Sequence, residues 1–202
     1  MLAAVALALT GLISPPPPVA GAAAADVVAY YNGHRIGLEI ESVADGVGAM
    51  FLVIFASVLH ARIRSIPSLT AFGAAAIVAA CALIQVAAFH ALAFRPNPEP
   101  ARAALLNDLQ SFAFQVATFP ILLFLGSAAA SILAGNVLPR WLGLAAAVAG
   151  GLQAVSWVSF FAPPGILAAG ALPDIVSFAT FLGWLVICSI VMLVQSRRTA
   201  NC

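Results

Sequence analysis

The stretch SLTAFGAAAIVAACALIQVAAFHALAF, from Ser68 to Phe94, contains no Asp, Glu, Lys or Arg. A helix needs about 20 consecutive apolar residues to cross the hydrocarbon core of a bilayer, and this stretch exceeds that length. Leu, Val, Phe and Ala side chains are soluble in lipid, so such a helix can expose them on every face. The stretch therefore predicts a transmembrane helix and sets the fold class.

The whole chain shares this composition. Of its 202 residues 63% are hydrophobic and 7% are charged, and the mean hydropathy is +1.09. A soluble domain is about one quarter charged, so an ordinary water-soluble globular fold is excluded and the lipid bilayer is the expected surrounding. The net charge is +1 with no basic run longer than two residues. This excludes a nucleic-acid partner, which would need clustered Lys and Arg.

Hydrophobic runs separated by Pro, Gly or charge divide the chain into six candidate helices. The sequence predicts one all-α domain over residues 1–202, a polytopic transmembrane bundle with approximate helices 2–14, 36–59, 68–94, 104–134, 138–161 and 174–195. The first run is short and ends at four prolines, which cannot continue a helix because they supply no backbone N–H. It is either a short span or a leader cleaved after a small-residue site, although no basic residue precedes it as a leader requires.

The arginines predict the orientation, because cytoplasmic loops are enriched in basic residues. All basic residues are Arg, which together with the Ala-rich composition indicates a bacterial genome of high GC content. Both termini are expected in the cytoplasm of a multi-pass protein of the bacterial plasma membrane. The outer loops would be the Pro-rich stretch ending at His34 and residues 95–100 and 162–165. The predicted cytoplasmic set is Arg62, Arg64, Arg140, Arg197 and Arg198; the predicted outer set is Arg35, Arg95 and Arg102.

Five short motifs carry a family resemblance: AYYNGHR at 29–35, ARIR at 61–64, NDL at 107–109, FP at 119–120 and LPRWLG at 138–143. In their order and spacing the chain resembles a family of actinobacterial polytopic integral membrane proteins of unknown function. The resemblance implies a bundle of about six helices and no activity, so no catalytic residue is carried over. The family's segment equivalent to 36–59 is largely apolar, and this chain departs there with Glu39, Glu41 and Asp45.

Polar residues inside apolar runs are the candidate site residues. A charge at the bilayer centre costs about 3 kcal/mol on insertion scales, so each needs a partner, a water-filled cavity or an interfacial position. Glu41 and Asp45 are one helical turn apart. A stripe of Asp108, Ser111, Gln115 and Thr118 recurs at helical spacing and should face the interior. The predicted ligand-binding residues are Glu41, Asp45, His90, Asp108, Gln115 and Gln153.

A structural explanation competes with the functional one. Glu39, Asp108 and Asp174 would complement helix dipoles at outer N-termini, paired with Arg35, Arg95 or Arg102. Glu41 and Asp45 would form a buried pair with His90 or Arg95.

No metal site is predicted, because the acids and His90 lack an E-x-x-H or H-x-x-x-H spacing on any helix. The three cysteines, Cys81, Cys188 and Cys202, share no ligand spacing and are expected to be structural.

These patterns favour a non-enzymatic binding or accessory component with a polar cavity in the outer leaflet, which takes a small molecule, a lipid or a partner membrane subunit. One alternative is a proton- or cation-coupled small-molecule transporter in which Glu41 and Asp45 titrate. Another is a membrane enzyme acting on a lipid or isoprenoid, although the outer loops lack the paired acids that would hold Mg²⁺ and a diphosphate. No cofactor is identified. A pocket open to one side would favour binding, and a midplane cavity with broken helices would favour transport.

Overall fold

The computed structural model describes residues 15, 17–94, 98–157, 161 and 172–200. These residues form an all-α protein without a strand, and its helices are α1 (Ala24–Ile63), α2 (Ile66–Phe94), α3 (Pro100–Ala134), α4 (Arg140–Val155) and α5 (Leu172–Ala200). Four regions are long and apolar enough to cross a membrane: Ala24–Ile63, Ile66–Phe94, Pro100–Ala134 and Ile175–Arg197. The predicted all-α membrane architecture is thus confirmed in outline. The predicted helix over residues 2–14 lies outside the described residues.

Helix α1 begins twelve residues earlier than predicted, and the stretch ending at His34 is helical where a loop was expected. The Ala-rich start at Ala24 supplies strong helix formers, and the helix continues through the polar sequence that follows. His34 alone has non-helical backbone angles, with φ −120° and ψ 17°, and marks a kink. The loop prediction was wrong for residues 24–34, because polar residues there were interpreted as loop structure, whereas residues 17–23 are irregular.

Other boundaries also differ from the predicted ones by a few residues. Helix α3 begins at Pro100, where proline fits the first turn because that position needs no N–H donor. Helix α4 has 16 residues and ends at Val155, short of the predicted residue 161. At about 1.5 Å per residue it measures roughly 24 Å, less than the ~30 Å hydrocarbon core.

A compact set of serine contacts makes the turn between α1 and α2. Arg64 ends α1 in the left-handed conformation with φ 51°, and its N–H donates to the His60 carbonyl at 2.8 Å. The N–H of Ser65 donates to Ser68 Oγ at 3.0 Å, and the N–H of Ser68 donates to Ser65 Oγ at 3.2 Å. Ser65 Oγ also donates to Ser131 Oγ of α3 at 3.2 Å. These reciprocal caps fix the antiparallel α1–α2 hairpin beside the end of α3.

Consecutive helices pack against each other, and α3 lies centrally with neighbours on both sides. The main core is built on Phe124, which is fully buried. Its ring contacts those of Phe55, Phe181 and Trp184 at centroid distances of 6.4, 5.9 and 5.8 Å. We call this part of the protein, between the α1–α2 turn and Asp45, the spanning bundle.

Small residues set the close helix approaches in the spanning bundle. Alanines make up most of the buried face of α2 and recur on that of α3, which lets the two backbones pack closely. At Gly143 of α4 an added Cβ would lie 2.8 Å from Leu133 Cγ of α3. Gly143 ends the LPRWLG motif, so that motif includes a steric requirement for contact between α3 and α4.

A second apolar cluster occupies the opposite end of α1, α2 and α3. We call this region, residues 17–40, 88–94 and 98–110, the cap. The buried residues of its core are Val27, Tyr31, Leu38, Phe89, Leu92, Ala93 and Ala103.

An irregular segment, residues 17–23, runs over the cap, and we call it the strap. Asn107 Nδ2 donates to the carbonyls of Pro18 and Val19 at 3.2 and 3.4 Å. The N–H of Gly21 donates to Asp108 Oδ1 at 2.9 Å, and Gly21 has φ 78°, which glycine adopts without steric cost. Side chains of α3 therefore fix the strap by binding its backbone.

Charge is divided between the two ends of the protein. We call the end at which α1 and α3 finish and α2 and α4 begin the arginine end. The basic residues with described side chains there are Arg62, Arg64, Arg140 and Arg197. Every acid with a described side chain belongs to the other half, where Arg35 and Arg102 also lie: Asp26, Glu39, Glu41, Asp45, Glu99 and Asp108.

Candidate functional site

Polar side chains recur at one level of the helices. Asp45 on α1, Gln85 on α2, Gln115 on α3 and Ser177 on α5 each lie about 20 residues from the arginine end, which corresponds to roughly 30 Å at ~1.5 Å per residue. The hydrocarbon core of a bilayer has the same thickness, about 30 Å. The polar level therefore matches the far boundary of a hydrocarbon slab that begins at the arginine end.

The predicted polar stripe of α3 faces protein. Gln115 and Thr118 are each 2% exposed, and Thr118 Oγ1 donates to the Gln115 carbonyl at 2.7 Å. Ser111 is half-buried and donates to the Asn107 carbonyl at 3.0 Å. Asp108 is half-buried and accepts from the strap. The helical spacing thus placed these groups away from lipid.

The predicted site residues do not converge on one cavity. Asp45 lines a cavity between helices, whereas Glu41, one turn away, is half-buried outside its lining. His90 is exposed, with its ring 6.1 Å from that of Phe94. On α2 it is Gln85 that faces the cavity, and five residues at 100° each turn His90 well away from it.

The acids assigned to helix N-termini have other surroundings, because α1 and α3 begin earlier than predicted. Glu39 lies mid-helix and pairs with Arg35 at 3.5 Å. Asp108 lies two turns into α3 and binds the strap instead of a helix dipole. Both dipole interpretations were therefore wrong, whereas the predicted pairing of Glu39 with Arg35 is observed. The side chain of Asp174 lies outside the described part of the chain.

Gln153, the remaining predicted site residue, lies on α4, apart from the other predicted site residues. It is 2% exposed, and within the described ranges its Oε1 and the neighbouring Trp157 Nε1 are buried without a hydrogen-bond partner. The Trp157 ring lies 4.7 Å from that of Phe119 on α3. Gln153 does not line the cavity that contains Asp45.

That cavity has a volume of about 610 Å³ and lies between α1, α2, α3 and α5. Its wall runs along α1 from Asp45 to Arg62, roughly 25 Å at ~1.5 Å per residue. Between these two residues the wall is apolar. Its central lining residues are Leu52, Phe55, Val78, Ala82, Phe114, Ile121, Phe181 and Leu185.

The cavity opens to one side of the protein. Helix α1 and helix α5 border it without packing closely on each other. The lining residues Phe51, Ile54 and Val58 of α1 are also 39%, 53% and 42% exposed on the protein surface. The opening is therefore apolar and lies within the slab between the polar level and the arginine end.

Polar groups are confined to a few points of the lining. Asp45 and Gln85 lie at the polar level, and Arg62 lies at the arginine end, where Met192 and Leu193 also line the cavity. Ser189 also lines the cavity, but its hydroxyl donates to the Leu185 carbonyl at 2.7 Å. The cavity thus combines a long apolar wall with one carboxyl and one guanidinium at opposite ends.

Arg62 was assigned only a topological role from the sequence. Nothing in the ARIR motif distinguishes Arg62 from Arg64, which is exposed at the helix end. Which arginine faces the cavity depends on how α1 rotates against α2 and α3. That rotation is fixed by packing between residues distant in sequence.

The described residues contain no group of three or more His, Cys, Asp or Glu that could hold a metal ion. Cys81 is half-buried and Cys188 is buried, and both are free thiols. Cys188 packs within the main core, as expected of a small hydrophobe.

Comparison with protein-family models, curated proteins and solved structures finds no match to this chain. The resemblance to an actinobacterial family therefore stays a prediction.

Proposed function

We propose that this protein is a non-enzymatic component of a bacterial plasma membrane that binds the apolar chain of a membrane amphiphile in the cavity between α1 and α5. The supporting observation is the sideways apolar opening at Phe51, Ile54 and Val58. A ligand entering there must already be dissolved in the membrane.

The dimensions of the cavity fit such a chain. Small-molecule sites typically measure about 300–1,000 Å³, and the 610 Å³ here is drawn out along roughly five turns of α1. A long, narrow apolar space complements an extended hydrocarbon chain better than a compact polar solute. Burying that chain against Leu52, Phe55 and Ile121 stabilises the complex by dispersion contacts.

Transport of a proton or cation receives less support from the same cavity. A charged solute moving from Asp45 towards Arg62 would cross the apolar wall at Leu52 and Phe55, where desolvation is costly. Helix α1 also stays helical along this wall, since its break is at His34, outside the cavity. A pocket open to one side and lined by unbroken helix favours binding.

The proposed orientation places the arginine end in the cytoplasm, following the basic bias of that end. Single cysteines replacing exposed Arg64 and exposed Glu99, in a chain whose native cysteines are replaced by serine, test it. A membrane-impermeant maleimide is expected to label E99C on intact cells and R64C only after permeabilisation. Labelling of both from the same side would contradict the orientation.

Filling the cavity tests the proposed binding. Ala82 of α2 lines the cavity, and Ala80 of the same helix is exposed on another face. We expect purified wild-type protein in detergent to bind a fluorescent polyene fatty acid saturably. Ala82→Phe should weaken that binding roughly tenfold, and Ala80→Phe should leave it unchanged. Equal binding by a folded Ala82→Phe variant would exclude this cavity as the site.

A further inference from the structure

Four arginines with described side chains make no ion pair, Arg62, Arg64, Arg140 and Arg197, and of these only Arg62 lines the cavity. Arg35 pairs with Glu39 and donates to the Phe94 carbonyl, and Arg102 pairs with Glu99 at 2.9 Å. Arg62 is half-buried and lines the cavity. Across the ranges that the structure describes, its guanidinium makes neither an ion pair nor a hydrogen bond.

The protein supplies no nearby anion for this guanidinium. Among the acids with described side chains, Asp45 is the one that shares the cavity, and it lies roughly 25 Å away along α1. A charge withdrawn from water is stabilised by an ion pair or by hydrogen bonds. The position of Arg62 therefore calls for an anion that does not belong to the acids described in this chain.

The depth of Arg62 identifies the kind of anion. Arg62 is one residue from the end of α1, at the level where a lipid headgroup meets the hydrocarbon region. Met192 and Leu193 of α5 line the same end of the cavity, next to the apolar wall. If the anion bound there is the headgroup of a lipid, the attached hydrocarbon chain can extend along Val58, Phe55 and Leu52.

We propose that the cavity binds a phosphate-bearing anionic lipid, with its phosphate on Arg62 and one hydrocarbon chain along α1. The planar guanidinium matches two phosphate oxygens at once and is less strongly hydrated than an ammonium. This assignment rests on the proposed function, since it names the headgroup of the ligand whose chain occupies the cavity. It places the headgroup at the arginine end and not at the polar level with Asp45.

The length of the cavity determines how far a bound chain extends into the bilayer. A chain that starts at Arg62 and extends towards Asp45 covers roughly 25 Å, whereas one leaflet contributes about half of the ~30 Å hydrocarbon core. The bound chain therefore passes the bilayer midplane. Lipids with longer chains should bind more tightly than lipids with short chains and the same headgroup.

Displacement of the fluorescent fatty acid by two lipids with identical chains tests the assignment. Phosphatidic acid carries the phosphate, and diacylglycerol lacks it. We expect phosphatidic acid to displace the probe from the wild type at roughly one tenth of the diacylglycerol concentration. Arg62→Gln should remove this preference while keeping displacement by diacylglycerol, and Arg62→Lys should keep part of it. Arg64→Gln, which changes an exposed arginine two residues away, should keep it fully.

The outcomes separate the two proposals. If the wild type binds the probe but shows no phosphate preference, or if folded Arg62→Gln keeps the preference, the headgroup assignment is overturned and the chain-binding proposal stands. If folded wild type does not bind the probe, both are overturned. Inorganic phosphate at millimolar concentration should not displace the probe; displacement by it would identify a free-anion site instead of a lipid site. Melting temperatures of all variants establish that each one is folded.

Discussion

The spanning bundle and the cap are held together by different interactions. In the bundle, Phe124 and its ring neighbours fill the core, and alanine faces let helices approach closely. In the cap, Asn107 and Asp108 bind the backbone of an irregular segment. Apolar packing can join helices whose backbone groups are already paired, whereas the strap has backbone groups that need side-chain partners.

Ion pairs follow the same division. Both salt bridges of the described residues, Arg35 with Glu39 and Arg102 with Glu99, lie in or beside the cap. The bundle instead presents apolar residues such as Ile54, Leu69 and Leu123 on its surface. A regular helix therefore tolerates a lipid surface without polar side-chain contacts, because its backbone groups are already paired. Irregular backbone needs polar partners.

Removal of a core ring should have the largest effect. Phe124→Ala deletes a fully buried side chain at the centre of the bundle, and such changes typically cost about 3–5 kcal/mol of unfolding free energy. Chemical unfolding in detergent measures the loss. Phe112→Ala on the same helix, 51% exposed, is the matched control and should change stability by less than about 0.5 kcal/mol. Similar losses in both variants would mean that the core does not centre on Phe124.

Breaking the strap contact should have a smaller and more local effect. Asn107→Ala removes the donor to Pro18 and Val19 and the acceptor of the Tyr31 hydroxyl. Leaving these groups without their partner should cost about 1–3 kcal/mol. Hydrogen exchange should accelerate at Gly21 with little change in α3.

The exposed Asn136 provides the control for that experiment, since Asn136→Ala removes the same side chain from a loop at the arginine end. It should leave exchange at Gly21 unchanged. If Asn107→Ala accelerates exchange throughout the bundle, cap and bundle unfold as one unit and the division drawn between them fails.

A buried hydrogen bond between α4 and α5 gives the third prediction. Trp184 Nε1 donates to the Leu142 carbonyl at 3.0 Å, and Trp184→Phe keeps an aromatic ring while removing that donor. We expect a loss of about 1 kcal/mol in unfolding free energy. Trp141→Phe, at a 50% exposed site, should leave stability unchanged. A loss approaching that of Phe124→Ala would show that polar contacts support the bundle more than its packing indicates.

The exposed ion pair of the cap should matter least. The side chains of Arg102 and Glu99 are 72% and 59% exposed, and exposed pairs contribute about 0–1 kcal/mol. Arg102→Ala should lower the melting temperature by no more than a degree or two, and high salt should reduce even that difference. A drop similar to that of Asn107→Ala would give surface charge a larger part in holding the cap.

The sequence predicted the bundle better than the cap. Long apolar runs such as Ser68 to Phe94 could be identified because lipid imposes their length and composition. The start of α1 was missed because Asn32, Gly33 and His34 have loop-like chemistry, and the tertiary contacts of Tyr31 keep this region helical. Local sequence carries no information about those contacts with α2 and α3.

The candidate site was predicted in part for a similar reason. Helical periodicity placed Gln115 and Thr118 in the interior, because a stripe on one helix defines its own buried face. Asp45 and Gln85 share the cavity only because α1 and α2 pack in one particular register. The same register turns His90 outwards and Arg62 inwards, and spacing along a single helix cannot specify it.

The break at His34 divides α1 into two helical segments of unequal length. On one side lies a short segment of about ten residues, in which the Tyr30 hydroxyl donates to the Pro15 carbonyl. On the other side lies an unbroken segment of roughly 43 Å that carries Asp45 and Arg62. The His34 ring stacks on the Tyr30 ring with a centroid distance of 4.8 Å, so the break lies inside the cap. Asp45 and Arg62 both lie on the long segment, so the angle of the break at His34 does not alter their separation along the cavity wall.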